Sequence, residues 1–195
     1  RESIPDWLDE LGEKELGKKW DTEIAALNKQ ASVILRVNPL KATLEEVQAK
    51  LAEAEIQTET IKGYPHALQL LERANVFSTD AFQNGWFEVQ DASSQKVAQL
   101  LDPKPGMRVI DVCAGAGGKS LHIASLMDNK GQLVSMDIYE NKLTELKRRA
   151  RRNGIHNIET RVIDSTKAIK KLIGKADKLL IDAPCSGLGV LRRNP

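Results

Sequence analysis

The sequence predicts an α/β protein in which a small α+β unit precedes a doubly wound parallel sheet. From residue 91 onward, short apolar segments alternate regularly with helical patterns, as in successive βαβ units. A glycine-rich turn follows the first of these apolar segments, and aspartates stand at the ends of later ones. Both features are typical of an open α/β sheet that binds a ligand at the carboxyl ends of its strands.

Composition sets broad limits on the class of protein. The chain has 195 residues, of which 41% are hydrophobic and 29% are charged, and its net charge is +2. These values describe a soluble protein with one or two small domains. The apolar runs are short and the amino end has no signal-peptide pattern, so we expect no membrane segment and a cytoplasmic location. A charge of +2 is too small to indicate a nucleic-acid partner by itself.

The first part of the chain predicts helices and then a small mixed sheet. Apolar residues at loosely helical spacing predict helix over residues 5 to 30, interrupted by Gly12 and Gly17. A capping box from Thr43 to Glu46 opens a later helix. Predicted strands cover residues 33 to 37, 57 to 61, 67 to 71 and 86 to 90, the last after an Asn-Gly turn.

The second part predicts four strands separated by helices. The predicted helices cover residues 92 to 101, the segment after Lys119, 140 to 153 and 166 to 173. The predicted strands cover residues 108 to 112, 132 to 136, 160 to 163 and 178 to 181. The domains expected from these patterns are residues 1–30, 31–85 and 86–195.

Three cofactor classes compete for the glycine-rich loop that follows Asp111. A P-loop needs a glycine five positions before Gly118, where Cys113 stands. A dinucleotide fingerprint that begins at Gly115 meets Ser120 in place of its third glycine. The sequence therefore excludes the first pattern and gives little support to the second.

S-adenosylmethionine is the third candidate for this loop. This cofactor needs a close-packed loop and an acid at the end of the next strand for its ribose hydroxyls. Asp137 supplies that acid, and Asp164 ends the third strand, where the adenine amino group would be met. Each aspartate taken singly could instead be a helix N-cap.

The last predicted strand leads directly into a candidate catalytic loop. Asp182 stands at the carboxyl end of an apolar run, Pro184 restrains the backbone, and Cys185 follows with a thiol suited to covalent chemistry. Cys113 and Cys185 could form a disulfide by count, but their positions at strand ends favour reduced thiols. For Cys113, a small buried residue remains the alternative interpretation.

These motifs together resemble the RsmB/Nop2/Sun family of RNA cytosine-5 methyltransferases. The segments that carry the resemblance begin at Val89, Val109, Met136, Val162 and Leu180, and the last contains Asp-Ala-Pro-Cys-Ser-Gly. The chain departs from the family in one place, because the family loop usually reads Cys-Ala-Ala-Pro-Gly-Gly-Lys and Gly115 and Ala116 occupy its third and fourth positions.

The resemblance implies a Rossmann-type methyltransferase sheet, of which this chain holds the first four strands, after an RRM-like α+β domain. The implied strand order is 3-2-1-4-5-7-6, so the strand ending at Ile181 should have a neighbour on each side. An apolar strand left at an edge would promote aggregation. We therefore expect the 195 residues to be a fragment whose remaining strands follow Pro195 or come from another copy.

The resemblance also implies methylation of a cytosine C5 in RNA, with ribosomal RNA as the first candidate and transfer RNA as the second. Asp182 would contact the base and Cys185 would release the product, while the family's attacking cysteine lies in a Thr-Cys-Ser motif that this sequence lacks. The residues implied for S-adenosylmethionine are Cys113, Ala114, Gly115, Ala116, Gly117, Gly118, Lys119, Asp137, Asp164 and Asp182.

Several alternatives stay open at this point. A DNA cytosine-5 methyltransferase and a non-catalytic RNA-binding module compete with the RNA enzyme. Arg192 and Arg193 are the expected RNA contacts, whereas the basic run 147–152 suits the end of a helix better than a phosphate contact. Lys119 could orient the loop or the acid Asp182, or it could lie in solvent. We expect no metal ion, and the sequence does not predict the oligomeric state.

Overall fold

A computed structural model describes residues 4–185 and 187 of the chain. These described residues divide into a small unit, residues 4–32 with 184, 185 and 187, and a larger unit of residues 33–183. The small unit contains helix α1 (Asp6–Leu16), a 3₁₀ turn (Gly17–Lys19) and helix α2 (Trp20–Leu27).

The predicted break at Gly12 is wrong, whereas the break at Gly17 is confirmed. Helix α1 continues through Gly12, where a side chain would meet the Trp20 ring at 2.3 Å. Gly17 ends the helix with a positive φ of 54°. Glycine at position 12 thus allows the Trp20 indole to pack directly against the helix backbone. A helical sequence pattern alone does not reveal this contact.

The larger unit begins with a four-stranded antiparallel sheet in the order β2-β3-β1-β4. Its strands are β1 (Ile34–Val37), β2 (Thr58–Thr60), β3 (Ala67–Leu70) and β4 (Phe87–Val89). Helices α3 (Leu44–Glu53) and α4 (Asp80–Gln83) and a 3₁₀ turn (Val76–Ser78) belong to the same part. The capping box is confirmed, because Glu46 N donates to Thr43 Oγ1 and Thr43 N donates to Glu46 Oε2.

Strand β4 joins this first sheet although it follows the predicted boundary at residue 85. Its register pairs Leu35 with Val89 and Val37 with Phe87. A strand pattern does not reveal which sheet a strand joins, because only the partner strand decides this. The expected division into residues 1–30, 31–85 and 86–195 stays a prediction.

A four-stranded parallel sheet in the order β7-β6-β5-β8 follows in the chain. Its strands are β5 (Arg108–Asp111), β6 (Gln132–Asp137), β7 (Ile158–Val162) and β8 (Lys178–Leu180). Its helices are α5 (Ala92–Leu101), α6 (Gly118–Leu126), α7 (Glu140–Arg152) and α8 (Thr166–Lys170). The order confirms the 3-2-1-4 start of the predicted topology.

Both faces of β5 and β6 are buried, which explains their continuous apolar sequences. Val109 and Leu133 pack in a cluster with Leu121 of α6, and Ile110 and Val134 pack in another. Because successive residues of a strand point to opposite faces, the two clusters lie on the two sides of the sheet.

Strand β8 is exposed within the described part of the chain, although its sequence predicts burial on both faces. Leu179 is 51% exposed and Ile181 is 63% exposed, and both line an apolar groove of about 470 Å³. Among the described strands, β8 pairs only with β5. The expectation that another strand covers this edge stays a prediction.

The tight turn before β6 provides a test of the parallel sheet. Gly131 has φ +86°, and a Cβ there would lie 2.2 Å from the carbonyl oxygen of Met107. Gly106 has φ +88° with nothing within 4 Å of its Cβ position, so it is a matched control. We expect Gly106→Ala to lower the free energy of unfolding by about 1 kcal/mol, the cost of the left-handed backbone. Gly131→Ala should lower it by about 2 kcal/mol more, because the backbone must also shift.

Urea unfolding of the two variants and the wild type measures both losses. Equal losses for the two substitutions would contradict the close approach of Gly131 to β5.

Candidate active site

The carboxyl ends of the parallel strands bring several predicted site residues to one edge of the sheet. Asp111 ends β5, Asp137 ends β6, and Asp182 lies two residues beyond β8. Asp164 lies two residues beyond β7, exposed, and accepts a hydrogen bond from Ser165 Oγ at 3.0 Å. A carboxylate-rich edge next to a glycine-rich loop is the usual ligand site of such sheets.

Hydrogen bonds to β6 hold the glycine-rich loop in a fixed conformation. Ala114 N donates to the carbonyl oxygen of Met136 at 2.8 Å, and Gly115 N donates to Asp137 Oδ2 at 2.8 Å. Gly117 N donates to the carbonyl oxygen of Ala114 at 2.9 Å, which closes the turn into α6. The protein's own hydrogen bonds therefore hold the loop backbone.

The two glycines at the centre of the loop have different physical roles. Gly117 has φ +90°, and a Cβ there would lie 2.6 Å from Leu146 of α7, so the close packing requires glycine. Gly115 has φ +53° with nothing within 4 Å of its Cβ position. The backbone at Gly115 is therefore open to close approach by a ligand.

Asp137 uses one carboxylate oxygen to hold the glycine-rich loop and the other to hold the backbone before α7. Oδ2 accepts the hydrogen bond from Gly115 N, and Oδ1 accepts one from Tyr139 N at 2.9 Å. Each carboxylate oxygen has two lone pairs, so acceptor capacity remains for a ligand hydroxyl.

Asp111 is a buried acid that the sequence analysis did not select as a site residue. Ser120 Oγ donates to Asp111 Oδ2 at 2.7 Å, and Ser135 Oγ donates to Ser120 Oγ at 2.9 Å. Burial raises the pKa of Asp111 to about 6, against the lowering effect of the Ser120 and Cys113 hydrogen bonds. Its Oδ1 has no hydrogen-bond partner among the described residues. The sequence feature that could have identified Asp111 as a site residue is its position between an apolar strand and the glycine-rich loop.

Lys119 pairs with Asp182, which connects the start of α6 to the segment after β8. Lys119 Nζ donates to Asp182 Oδ2 at 2.5 Å. This contact contradicts the interpretation of Lys119 as a solvent lysine. It agrees with the interpretation that the lysine orients the acid.

Arg149 of α7 and Arg36 of β1 bind the outer side of the loop, a role that the sequence analysis did not assign to them. Arg149 Nη1 donates to the carbonyl oxygen of Ala116 at 2.8 Å, and its Nη2 donates to Glu88 Oε2 at 2.9 Å. Arg36 Nη1 donates to the carbonyl oxygen of Gly118 at 2.6 Å. Burial lowers the pKa of Arg36 to about 10, so the guanidinium stays charged at neutral pH. The basic run 147–152 does not reveal that Arg149 binds the loop, and no local motif marks Arg36, because their partners are distant in sequence.

The two cysteines are free and have different surroundings. Burial raises the pKa of Cys113, and the negative charges of Asp111, Asp137 and Asp182 raise it further, so this thiol stays protonated at neutral pH. Cys185 is exposed. Arg192 and Arg193 lie outside the described residues.

Neither a metal centre nor a membrane-spanning helix is found among the described residues. No group of three or more His, Cys, Asp and Glu side chains there is arranged to hold a metal ion. No helix in the same part of the chain has the length and apolar character needed to cross a bilayer.

The raised pKa of Asp111 predicts a specific dependence of stability on pH. A carboxyl group with a folded pKa above its unfolded value destabilises the fold when it ionises, between about pH 4 and pH 6. Asp111→Asn removes this ionisation. The free energy of unfolding of the wild type should therefore fall relative to that of Asp111→Asn as the pH rises through this window.

Urea unfolding at several pH values measures this difference. Asp128→Asn, at an exposed aspartate, serves as control and should keep the wild-type profile. Parallel profiles for the wild type and Asp111→Asn would show that the buried carboxyl group is not shifted.

Comparison with known proteins identifies relatives of both sheets. The family model of the 16S rRNA methyltransferase RsmB/F matches residues 98–195, and a model of the RsmF/B-like ferredoxin-like domain matches residues 4–77. A methyltransferase homolog protein from Pyrococcus horikoshii shares 30% identity and a TM-score of 0.86 over 99% of this chain and 63% of its own. The predicted fold, an RRM-like domain before a methyltransferase sheet, is confirmed.

Two curated relatives carry the name probable ribosomal RNA small subunit methyltransferase B. The protein from Synechocystis is 41% identical over 99% of this chain, and the protein from Bacillus subtilis is 42% identical over 83%. The chain spans 44% and 36% of their respective lengths. The matched family model covers half of the chain and includes the glycine-rich loop and the Asp-Ala-Pro-Cys segment, so the chain belongs to the RsmB/F family of 16S rRNA methyltransferases.

Proposed function

We propose that the protein transfers a methyl group from S-adenosylmethionine to C5 of a cytosine in small-subunit ribosomal RNA. Family membership and the names of the relatives support RNA methylation as the activity. The observation that carries the proposal is the Lys119–Asp182 pair beside the glycine-rich loop. This pair connects the glycine-rich loop, which would bind the cofactor, to the first residue of the Asp-Ala-Pro-Cys segment.

The residues of the loop fit S-adenosylmethionine. The open space over Gly115 permits a ligand to approach the backbone, and the buried Asp111 Oδ1 has no partner among the described residues. A carboxyl oxygen in this position suits the positively charged methionine end of the cofactor. Bound there, S-adenosylmethionine supplies an electrophilic methyl group.

The other proposed cofactor contacts follow from the same edge. The ribose hydroxyls would donate to Asp137, whose oxygens retain lone pairs, and the adenine amino group would donate to Asp164. Residues 113–119 form the loop around the methionine moiety. Lys119 orients Asp182 through a hydrogen bond and ion pair.

The proposed reaction needs a thiolate because C5 of cytosine is a poor nucleophile. Addition of a cysteine thiolate at C6 gives a covalent adduct in which C5 carries the electron pair that takes the methyl group. Loss of the C5 proton to a base and expulsion of the thiolate then restore the ring. Asp182 would accept the N4–H of the cytosine, which holds the base in place during these steps.

Cys185 is proposed to act in product release rather than in attack. Its place in the Asp-Ala-Pro-Cys segment supports this assignment, and the family's attacking thiol belongs to a Thr-Cys-Ser motif. RNA is favoured over DNA by the family match and by the ferredoxin-like domain. An enzyme that acts on ribosomal RNA would work in the cytoplasm, where we place this protein.

Asp137 provides a direct test of the cofactor site. Asp137→Ala should weaken S-adenosylmethionine binding by about 1.5–3 kcal/mol, the range for hydrogen bonds that involve a charged group. Calorimetric titration measures the affinity, and Glu53→Ala, which removes an exposed carboxylate from α3, should leave it unchanged. Wild-type affinity in a folded Asp137→Ala variant would remove this residue from the site.

Cys185 provides a test of the reaction in the whole protein that carries this sequence. With S-adenosylmethionine and small-subunit ribosomal RNA, the wild type should release RNA that contains 5-methylcytidine. Cys185→Ala should accumulate a covalent protein–RNA complex on a denaturing gel, because release fails after attack. Glu53→Ala, at an exposed residue of α3, is the control and should release methylated RNA without accumulating a complex.

Two results would contradict this assignment. A Cys185→Ala variant that forms neither adduct nor product would make Cys185 the nucleophile. A wild-type protein that binds RNA but transfers no methyl group would support the non-catalytic RNA-binding alternative.

A further inference from the structure

A groove of about 680 Å³ lies between α7 and the segment that contains Phe77 and α4. Ala116 of the glycine-rich loop also lines this groove. The groove has both aromatic and basic walls, a combination used by proteins that bind single-stranded nucleic acid. The proposed cofactor contacts and catalytic steps do not involve the space inside this groove.

The aromatic wall presents one ring to solvent on a fixed backbone. Phe77 is 54% exposed, and its edge-to-face contact with Phe82 has a centroid distance of 5.0 Å. Phe77 N donates to Asn75 Oδ1 at 3.1 Å, and Gln83 Nε2 donates to the carbonyl oxygen of Phe77 at 2.8 Å. The ring is therefore held in place while much of it is open to a stacking partner.

The opposite wall is the strongly basic helix α7. This helix contains six Lys and Arg residues and two Glu residues, which gives a net charge of +4 by subtraction. Arg149 and Arg152 are committed to the buried Glu88. The guanidinium of Arg152 also lies over the Phe82 ring, 3.9 Å from its centroid. These two arginines stabilise the groove rather than leave it free to bind an anion.

Arg148 is the groove cation that is available to a ligand. Its side chain is 74% exposed, and its bonds to Glu145 form a surface ion pair within one helix. Such a pair contributes little free energy, so a phosphate competes with it effectively. Phe77 and Arg148 line the same groove, which suits one base and a neighbouring phosphate.

We propose that this groove binds single-stranded RNA, with an unpaired base stacked on Phe77 and a backbone phosphate bound by Arg148. The inference rests on the proposed function in one respect, because it takes this RNA to be the methylation substrate. The groove holds the RNA beside the loop at Ala116. A duplex offers no unstacked base to Phe77, so single strands are the preferred form.

Fluorescence anisotropy with a labelled short single-stranded RNA and the matching duplex tests the proposal on the intact chain. Phe77→Ala should weaken binding of the single strand about tenfold, the loss expected for one stacked base. Phe77→Leu should weaken binding of the single strand similarly. This variant keeps an apolar contact with Phe82, so it distinguishes the loss of stacking from a folding defect. Leu71→Ala, at another exposed apolar residue, should leave binding unchanged.

Arg148→Ala tests the phosphate contact by its salt dependence. The slope of log affinity against log salt should decrease in magnitude by about 0.7, the value for one phosphate of a single strand. Lys130→Ala removes an exposed cation elsewhere and should keep the wild-type slope. Within the described part of the chain, neither Phe77 nor Arg148 forms a hydrogen bond with the loop, so S-adenosylmethionine affinity should stay unchanged in all variants.

The outcomes separate this proposal from the proposed function. Unchanged RNA affinity in Phe77→Ala and Phe77→Leu, equal binding of duplex and single strand, or preference for an acidic peptide over RNA would overturn the groove assignment. If the variants lose RNA binding but the wild type transfers no methyl group, the groove assignment stands and the proposed function fails. If methylation occurs at wild-type efficiency in both Phe77 variants, the function stands and the groove assignment fails.

Discussion

The buried carboxylate of Glu88 is the interaction on which the arrangement of the site depends. Burial would raise the pKa of Glu88, but the charge and hydrogen bond of Arg149, together with Asn153 and Arg152, keep it below its ordinary value. The group is therefore ionised at neutral pH and balanced by two arginines. Removing one partner from such a buried pair costs about 3–5 kcal/mol, because the remaining charge loses its compensation.

This ion pair connects the ferredoxin-like sheet to the glycine-rich loop. Glu88 lies on β4, while Arg149 bonds both to Glu88 and to the carbonyl oxygen of Ala116. Arg36 on β1 makes a similar bond to the carbonyl oxygen of Gly118. The first sheet thus fixes the outer side of the loop, and Asp137 fixes its inner side. A loop held from both sides loses little conformational entropy when a ligand binds.

The predictable parts of the fold and site are those whose cause is local in sequence. The capping box at Thr43, the loop glycines and the strand-end positions of Asp137 and Asp182 follow from short patterns. Assignment of β4 to the first sheet did not follow, because pairing with β1 is a contact between distant residues. Asp111 was also missed as a site residue, since its raised pKa comes from burial that the sequence does not display.

The sequence alone determined the α/β class, the order of helices and strands, the candidate cofactor loop and the resemblance to a methyltransferase family. Each of these depends on hydrophobic period, turn chemistry or a motif within a few residues. Only the tertiary structure decided that the arginines of the basic run on α7 have different surroundings. Arg149 and Arg152 turn inward to Glu88, whereas Arg148 stays exposed beside Phe77. These arginines have the same side-chain chemistry. They point in different directions because of the helical twist, and only two of them reach the buried carboxylate of Glu88.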